Sequence, residues 1–279
     1  MGGEVVLGLA AAGLVVGFIA GLIGIGGGVL MVPLLYLFYS HPEWSGTGIS
    51  PALEPAVAHA TSLFVIMPTA LLGVSTYRRA GLVPWRLVLP VALGATLGAV
   101  AGAQIAMAVP GALLKLAFGL LVVASGVQLA VGRRSAAERP LRSGLGLLIA
   151  IGLLVGLTSA LLGVGGGVIA IPLLAHVVRL DLQRVTGVSL GVMAFASLAG
   201  TASYVIGGVG VEGLPPGSLG YVHLWAALPL LAGSLLSVGW GARVNQRLGV
   251  GRLRWVFGAA FLIIGIKLVV ENSWVLFRT

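Results

Sequence analysis

Gly24-Ile25-Gly26-Gly27-Gly28, followed by Pro33, sits inside an apolar run from about Val5 to Phe38. The stretch returns as Gly163-Val164-Gly165-Gly166-Gly167, followed by Pro172, inside a second apolar run. Neither copy has the polar flanks of a surface turn. A glycine in a helix interior costs roughly 1 kcal/mol relative to alanine, so four in five positions break a helix. A break deep in an apolar run strips backbone groups of their helical partners where lipid offers none. Such backbone is tolerated only where it is buried in protein or lines a cavity. Two breaks at corresponding positions of two halves are the pattern of a membrane transporter's binding site.

Composition agrees with a membrane. Of 279 residues, 58% are hydrophobic and 8% charged, against about 25% charged in soluble domains. Cysteine is absent, which removes disulfides, thiolate metal sites and a cysteine nucleophile. The formal net charge of +9 reads as basic residues flanking spans, where they set orientation, and no nucleic-acid partner is expected. Glu4 stands where a signal peptide would have a basic region, so none is expected.

Seven apolar segments follow the first, near Ala56–Thr76, Leu87–Val109, Leu113–Val131, Leu145–Val178, Val185–Ile206, His223–Val244 and Leu253–Val270. Most have the roughly 20 residues that cross a bilayer. The first and fifth are too long for one crossing, and each contains a glycine break. The halves repeat. Pro90, Gly94, Gly102 and Phe118-Gly119 match Pro229, Gly233, Gly241 and Phe257-Gly258 at the offset of the glycine clusters, 139. Ser62-Leu63 and Tyr77 match Ser189-Leu190 and Tyr204 at an offset of 127. The polar linker Arg133–Ser143 separates them, so the first repeat is placed at residues 1–138 and the second at 139–279, together one transport domain.

The basic residues choose the topology. If every segment crosses once, lysine and arginine divide nine against seven. If the first and fifth segments are hairpins that return to their own side, one side takes Arg78, Arg79, Arg86, Arg133, Arg134, Arg139, Arg142, Arg179, Arg184, Arg243, Arg247, Arg252 and Arg254. The other keeps Lys115, Lys267 and Arg278. Thirteen against three is the bias of an inserted protein, with the arginine-rich side cytoplasmic. The expected fold is an all-α integral membrane protein of two inverted repeats, each a glycine-broken helical hairpin plus three transmembrane helices.

Helices that restart after Gly28 and Gly167 would offer free N–H donors and a partial positive charge. Glycine lets a ligand approach that backbone closely. Gly24, Gly26, Gly27 and Gly28 with Gly163, Gly165, Gly166 and Gly167 are therefore the candidate anion site, which needs no charged side chain. The competing reading is tight helix crossing by small residues. No Lys-Ser/Thr follows either cluster, so neither is a phosphate loop. His59, Thr61 and Ser62, with Ser189 from the other half, are candidates to complete the site, and His59 is a candidate proton acceptor. Alternatively, the hydroxyls bond back to their own helices. His59 aligns with Thr186, so the halves differ chemically there. Tyr77 and Tyr204 read as interfacial anchors at span ends. All seven acidic residues lie in loops or at span edges. No metal-ligand cluster or catalytic constellation appears, so neither cofactor nor enzyme activity is expected.

The segments Gly21–Leu35 and Ala160–Leu174, each carrying Gly-x-Gly-Gly-Gly-Val and a following Pro-Leu-Leu, resemble the paired signature of the sulfite exporter TauE/SafE family. Ala60-Thr61-Ser62-Leu63 and the two Phe-Gly pairs share the resemblance, which covers essentially the whole chain. It implies a multi-pass protein of a bacterial-type inner membrane that exports sulfite, an organosulfonate or a related small anion. A negative-inside potential favours anion exit by about 2.3 kcal/mol per charge per 100 mV, so export needs no coupling ion. The expected cycle is alternating access by rocking of one repeat on the other. Proton-coupled uptake, a non-transporting scaffold or assembly subunit, and an intramembrane enzyme are the alternatives. A homodimer is kept as a candidate assembly.

Overall fold

The computed structural model describes residues 2–46, 48–131, 141–247 and 261–271. Helix α1 (Gly3–Ile23) ends at the first glycine loop and α2 (Gly28–Ser40) follows it. A single turn, α3 (Pro42–Ser45), leads to α4 (Glu54–Arg79), α5 (Trp85–Ala108) and α6 (Gly111–Val131). In the second half α7 (Leu145–Leu162) ends at the second glycine loop. Helix α8 (Gly167–Pro172) then runs on through a π turn at Leu173–Val177. Pro172 has no N–H to give the preceding turn, and the helix widens just beyond it. Helix α9 (Leu182–Gly207), a ribbon of β1 (Ser218–Leu219) and β2 (Val222–His223), and α10 (Leu224–Arg247) follow. Residues 261–271 are helical. Among the described residues, seven helices are long and apolar enough to cross a membrane. The chain is a multi-pass membrane protein.

Both glycine segments are hairpins. Gly27 turns back against Val16 and Ala20 of α1, and Gly166 against Val155 and Ser159 of α7. Helix α2 returns to the end where α10 starts, and there Tyr39 meets His223 at 3.2 Å. The segment Gly167–Val177 returns to the end where α7 starts, and there the Arg142 N–H donates to the Val178 carbonyl at 3.1 Å. Arg78, Arg79, Arg86, Arg142, Arg179, Arg184 and Arg243 gather at this second end. Lys115 and Lys267 lie at the first. The repeat boundary at 138/139 and most of the linker lie outside the described residues, as do Arg133, Arg134, Arg139, Arg252, Arg254, Phe257-Gly258 and Arg278.

The halves interlock through glycine seams. Helix α1 runs parallel to α10, with Gly13, Gly17 and Gly21 against the backbone of Leu230, Ser234 and Val238. In return Gly233 and Gly241 lie against Ala10 and Phe18. Helix α5 runs parallel to α7 in the same way. Gly94, Gly98 and Gly102 meet Ile149, Leu153 and Leu157, while Gly152 and Gly156 meet Val91 and Ala95. Spacing of four puts each glycine set on one helix face. At these positions a Cβ would overlap a backbone carbonyl of the partner helix, so backbones touch directly, which is how membrane helices associate without a hydrophobic drive. Each seam joins one half to the other. Helices α4 and α9 cross antiparallel between the seams, with Gly73 beside Leu190 and Gly200 beside Leu63.

Two outcomes follow from this packing. Gly17→Leu and Gly98→Leu should each destabilise by about 1–3 kcal/mol or more, read as a lower midpoint of thermal unfolding in detergent. Gly239→Leu, on α10 between Gly233 and Gly241 but with open space where its Cβ would go, should behave as the parent does. Equal midpoints for all three would show that the seams are not tight. Cysteines placed at Gly2 and Ala80 should react with an impermeant maleimide from opposite sides of the membrane. Labelling from the same side would refute the double hairpin.

Candidate functional site

The two loops meet each other inside the protein. Every residue of Gly24–Gly28 and of Gly163–Gly167 is buried. A Cβ on Gly28 would lie 2.7 Å from the Gly163 carbonyl oxygen, and one on Gly167 would lie 2.6 Å from the Ile25 carbonyl oxygen. Met193 of α9 and Ile66 of α4 close over the junction, against Gly26 and Gly165. Gly24, Gly26 and Gly27 have φ of 76°, 88° and 71°; Gly163, Gly165 and Gly166 have 67°, 79° and 81°. Side chains rarely adopt this left-handed backbone, and here it reverses the chain within five residues.

The breaks leave both kinds of backbone group, and the two are treated differently. On the acceptor side, Ser62 Oγ donates to the Gly163 carbonyl at 2.8 Å and Ser189 Oγ to the Gly24 carbonyl at 3.1 Å. Each serine reaches across to the other half's loop. Tyr77 Oη donates to the Gly21 carbonyl at 3.2 Å and Tyr204 Oη to the Ala160 carbonyl at 2.9 Å. These tyrosines are fully buried, which corrects their sequence reading as interfacial anchors. A tyrosine near a span end has the right composition for an interface, but these two rings point inward onto the broken helices.

The donor side is left open. The first N–H groups bonded at the start of α2 are those of Leu30 and Met31, both to the Gly27 carbonyl. At the start of α8 they are those of Ile169 and Ala170, both to Gly166. Those of Gly26 to Val29 and of Gly165 to Val168 have no backbone acceptor among the described residues.

The candidate side chains divide. Ser62 and Ser189 are brought to the loops as donors to carbonyls. His59 is wholly buried and packs against the second loop, with its Cδ2 3.1 Å from where a Cβ on Gly163 would be. Its Nε2 is 2.6 Å from Tyr36 Oη. Its Nδ1 has no hydrogen-bond partner of ordinary geometry, and the Leu161 backbone lies within interaction range of the ring. Thr61 is not hydrogen-bonded to either loop; its hydroxyl accepts from the His223 N–H at 3.0 Å and ties α4 to the ribbon. Thr186 sets its methyl against Gly24, the counterpart of His59 against Gly163.

Sequence reasoning missed Ser159 and Tyr36. Ser159 is fully buried beside Gly166, and its Oγ has no hydrogen-bond partner. Ala20 occupies the matching position of the first half, and Ala175 matches Tyr36. The signal was available: subtracting one repeat from the other leaves these positions, with His59, as polar differences near the loops. Also missed was Glu54, paired with Lys115 at 2.9 Å. Among the described residues no group of three or more metal-ligating side chains comes together.

A family model described as sulfite exporter TauE/SafE matches residues 9–268. A Methanocaldococcus jannaschii protein named "probable membrane transporter protein" is 26% identical over 259 residues, 92% of this chain and 93% of that one. A Haemophilus influenzae protein of the same name is 27% identical, over 93% of this chain and 96% of its own length. No solved structure matches.

If the buried hydroxyls hold the breaks, Tyr77→Phe and Tyr204→Phe should each lower stability by about 1–3 kcal/mol, the cost of orphaning a buried acceptor. Ser75→Ala, whose exposed hydroxyl only bonds back to Leu72, should not. Thermal unfolding of purified variants reads the difference. Wild-type midpoints in both tyrosine variants would remove their supporting role.

Proposed function

The chain belongs to the sulfite exporter TauE/SafE family and is a membrane transporter; we propose that its cargo is a small anion, sulfite or an organosulfonate, held where the two glycine loops meet. One observation carries this reading. The acceptor side of each break is supplied with hydroxyl donors, while the donor side is not supplied with acceptors. Free N–H groups at a helix start, together with the helix dipole, favour an anion. The second loop adds two buried polar atoms without partners, Ser159 Oγ and His59 Nδ1. Buried polar groups are rarely left unpaired in a stable protein, and an oxyanion would satisfy both if their protons face it. We therefore place the anion nearer Gly163–Gly167 than Gly24–Gly28.

The transport cycle is alternating access between inverted repeats. Matched contacts support the repeat: Ser62 with Ser189, Tyr77 with Tyr204, and the two seams. The seams also bear on what moves. Because α1 is clasped to α10 and α5 to α7, sliding one half as a unit over the other would break direct backbone contacts. We infer that the moving bodies are the clasped pairs, each drawn from both halves, rocking about the crossing of α4 and α9. The loops contain no charged side chain, so no carboxylate there accompanies the anion. That agrees with export down the membrane potential.

Purified protein should gain thermal stability in sulfite or methanesulfonate but not in equimolar chloride. Stabilisation follows from binding to the folded state alone. Gly166→Val places a side chain on Val155 and Ser159 and should abolish the gain. Ser159→Ala removes one hydrogen bond to a charged ligand, worth about 1.5–3 kcal/mol, and should weaken binding roughly tenfold or more. A protein that no anion stabilises would instead be the scaffold alternative.

A further inference from the structure

Among the described residues, a chain of polar contacts runs from the second loop to a cavity at the lysine end. A cavity of about 500 Å³ opens at the lysine end between α2, α6 and the helix at residues 261–271. Glu54, Lys115, Lys267 and Glu271 are among its lining residues, and so is Tyr36. The Lys115 ammonium sits over the Tyr36 ring, 5.1 Å from its centre. Tyr36 Oη is 2.6 Å from His59 Nε2, and His59 lies against the second loop. The chain therefore runs cavity, Tyr36, His59, loop. At the matching positions of the other half stand Ala175 and Thr186, which offer no titratable group.

We propose that anion binding at the second loop draws one proton onto His59, delivered from the lysine-end cavity through Tyr36, so that the anion is held or released according to pH on that side alone. The proposal rests on the anion reading of the loops. With Tyr36 Oη donating to Nε2, the neutral ring carries its proton on Nδ1. A lone charge in this interior is costly, and pairing with an anion offsets much of that cost. As the anion arrives, the Tyr36 hydroxyl proton passes to Nε2, and Tyr36 regains a proton from water in the cavity. The imidazolium then donates from Nδ1 toward the anion. On release, Nε2 returns its proton to Tyr36, and Tyr36 returns one to the cavity water.

The charged and titratable groups around this path are few. Helix α2 contributes Tyr36, α6 contributes Lys115, the helix at residues 261–271 contributes Lys267 and Glu271, and α4 contributes Glu54, whose carboxylate is already paired with Lys115. Tyr204 of α9 is the remaining phenol within electrostatic reach of Tyr36. His223 of the ribbon meets Tyr39 and the Thr61 hydroxyl, not His59. The glycine loops bring none. His59 is the imidazole on this path, and it lies against the second loop.

Titration calorimetry tests the coupling with methanesulfonate, whose own charge is constant near neutrality. In two buffers of different ionisation enthalpy at one pH, the binding heats should differ by about one proton per anion. His59→Gln should still bind, several-fold more weakly, with equal heats in both buffers. Equal heats in the wild type would overturn the coupling and leave the anion site standing. Absence of binding by both methanesulfonate and sulfite would overturn the anion reading and this proposal with it. Sidedness is tested by efflux of the same anion from vesicles of known orientation. Lower pH at the lysine end should slow release there, because His59 keeps its proton and its grip, whereas pH at the arginine end should have no such effect. Tyr36→Phe should keep the calorimetric proton and lose the efflux response. Equal sensitivity to pH on both sides would overturn the one-sided path.

Discussion

The carbonyls that the glycine loops release inside the membrane, where lipid offers no donor, are capped from within the protein. The rest of the architecture follows from that constraint. A bilayer offers no water to a broken helix, so the loops cannot face lipid. They are buried by being pressed together, Gly28 on Gly163 and Gly167 on Ile25. They stay there because serine and tyrosine hydroxyls from α4 and α9 cap the carbonyls at each break. These two helices are the most enclosed of the candidate spans, buried over 72% and 78% of their windows. Their composition suits that position, since small and hydroxyl-bearing residues reach the loops where larger apolar chains would hold them off.

The seams answer a second requirement. Holding two hairpins tip to tip at the protein's centre needs their first arms to be fixed along their length. Without a hydrophobic drive between helices in lipid, close backbone approach supplies the attraction. Glycine every fourth residue on α1 and on α5 provides it. The partners of these arms come from the opposite halves, so each half is folded around the other. A single half would present an unpaired glycine face and an unsupported loop.

Much of this was legible in sequence. The first seven apolar segments, the two breaks and the return of each hairpin to its own side follow from length, glycine clustering and arginine placement. These features are local, or sum over many residues. What stayed hidden depends on which surface meets which. Glycine spacing announces a close approach but not its partner, so the exchange of α10 and α7 between halves could not be read. Tyr77 and Tyr204 sit where interfacial tyrosines sit, and only packing turns them onto Gly21 and Ala160. Ser159 is one serine in an apolar helix, and most such serines bond back to their own turn. The ribbon at Ser218–His223 hides in a stretch rich in glycine and proline, where two-residue strands leave no alternation to detect.

Near-symmetry sets a problem that the departures from it address. Two identical loops in contact would offer two equivalent sets of N–H donors to one small cargo. Two anions side by side would repel strongly in this low-dielectric interior. On the anion reading a single occupant must be biased to one loop, and backbone alone cannot provide the bias because both backbones match. The side chains can. Ser159 stands opposite Ala20 in the repeat, His59 opposite Thr186, and Tyr36 opposite Ala175. All three polar members of these pairs lie at or next to the second loop. On that reading the duplicated backbone would supply a buried set of donors, and these three differences between the halves would give the site a preferred side.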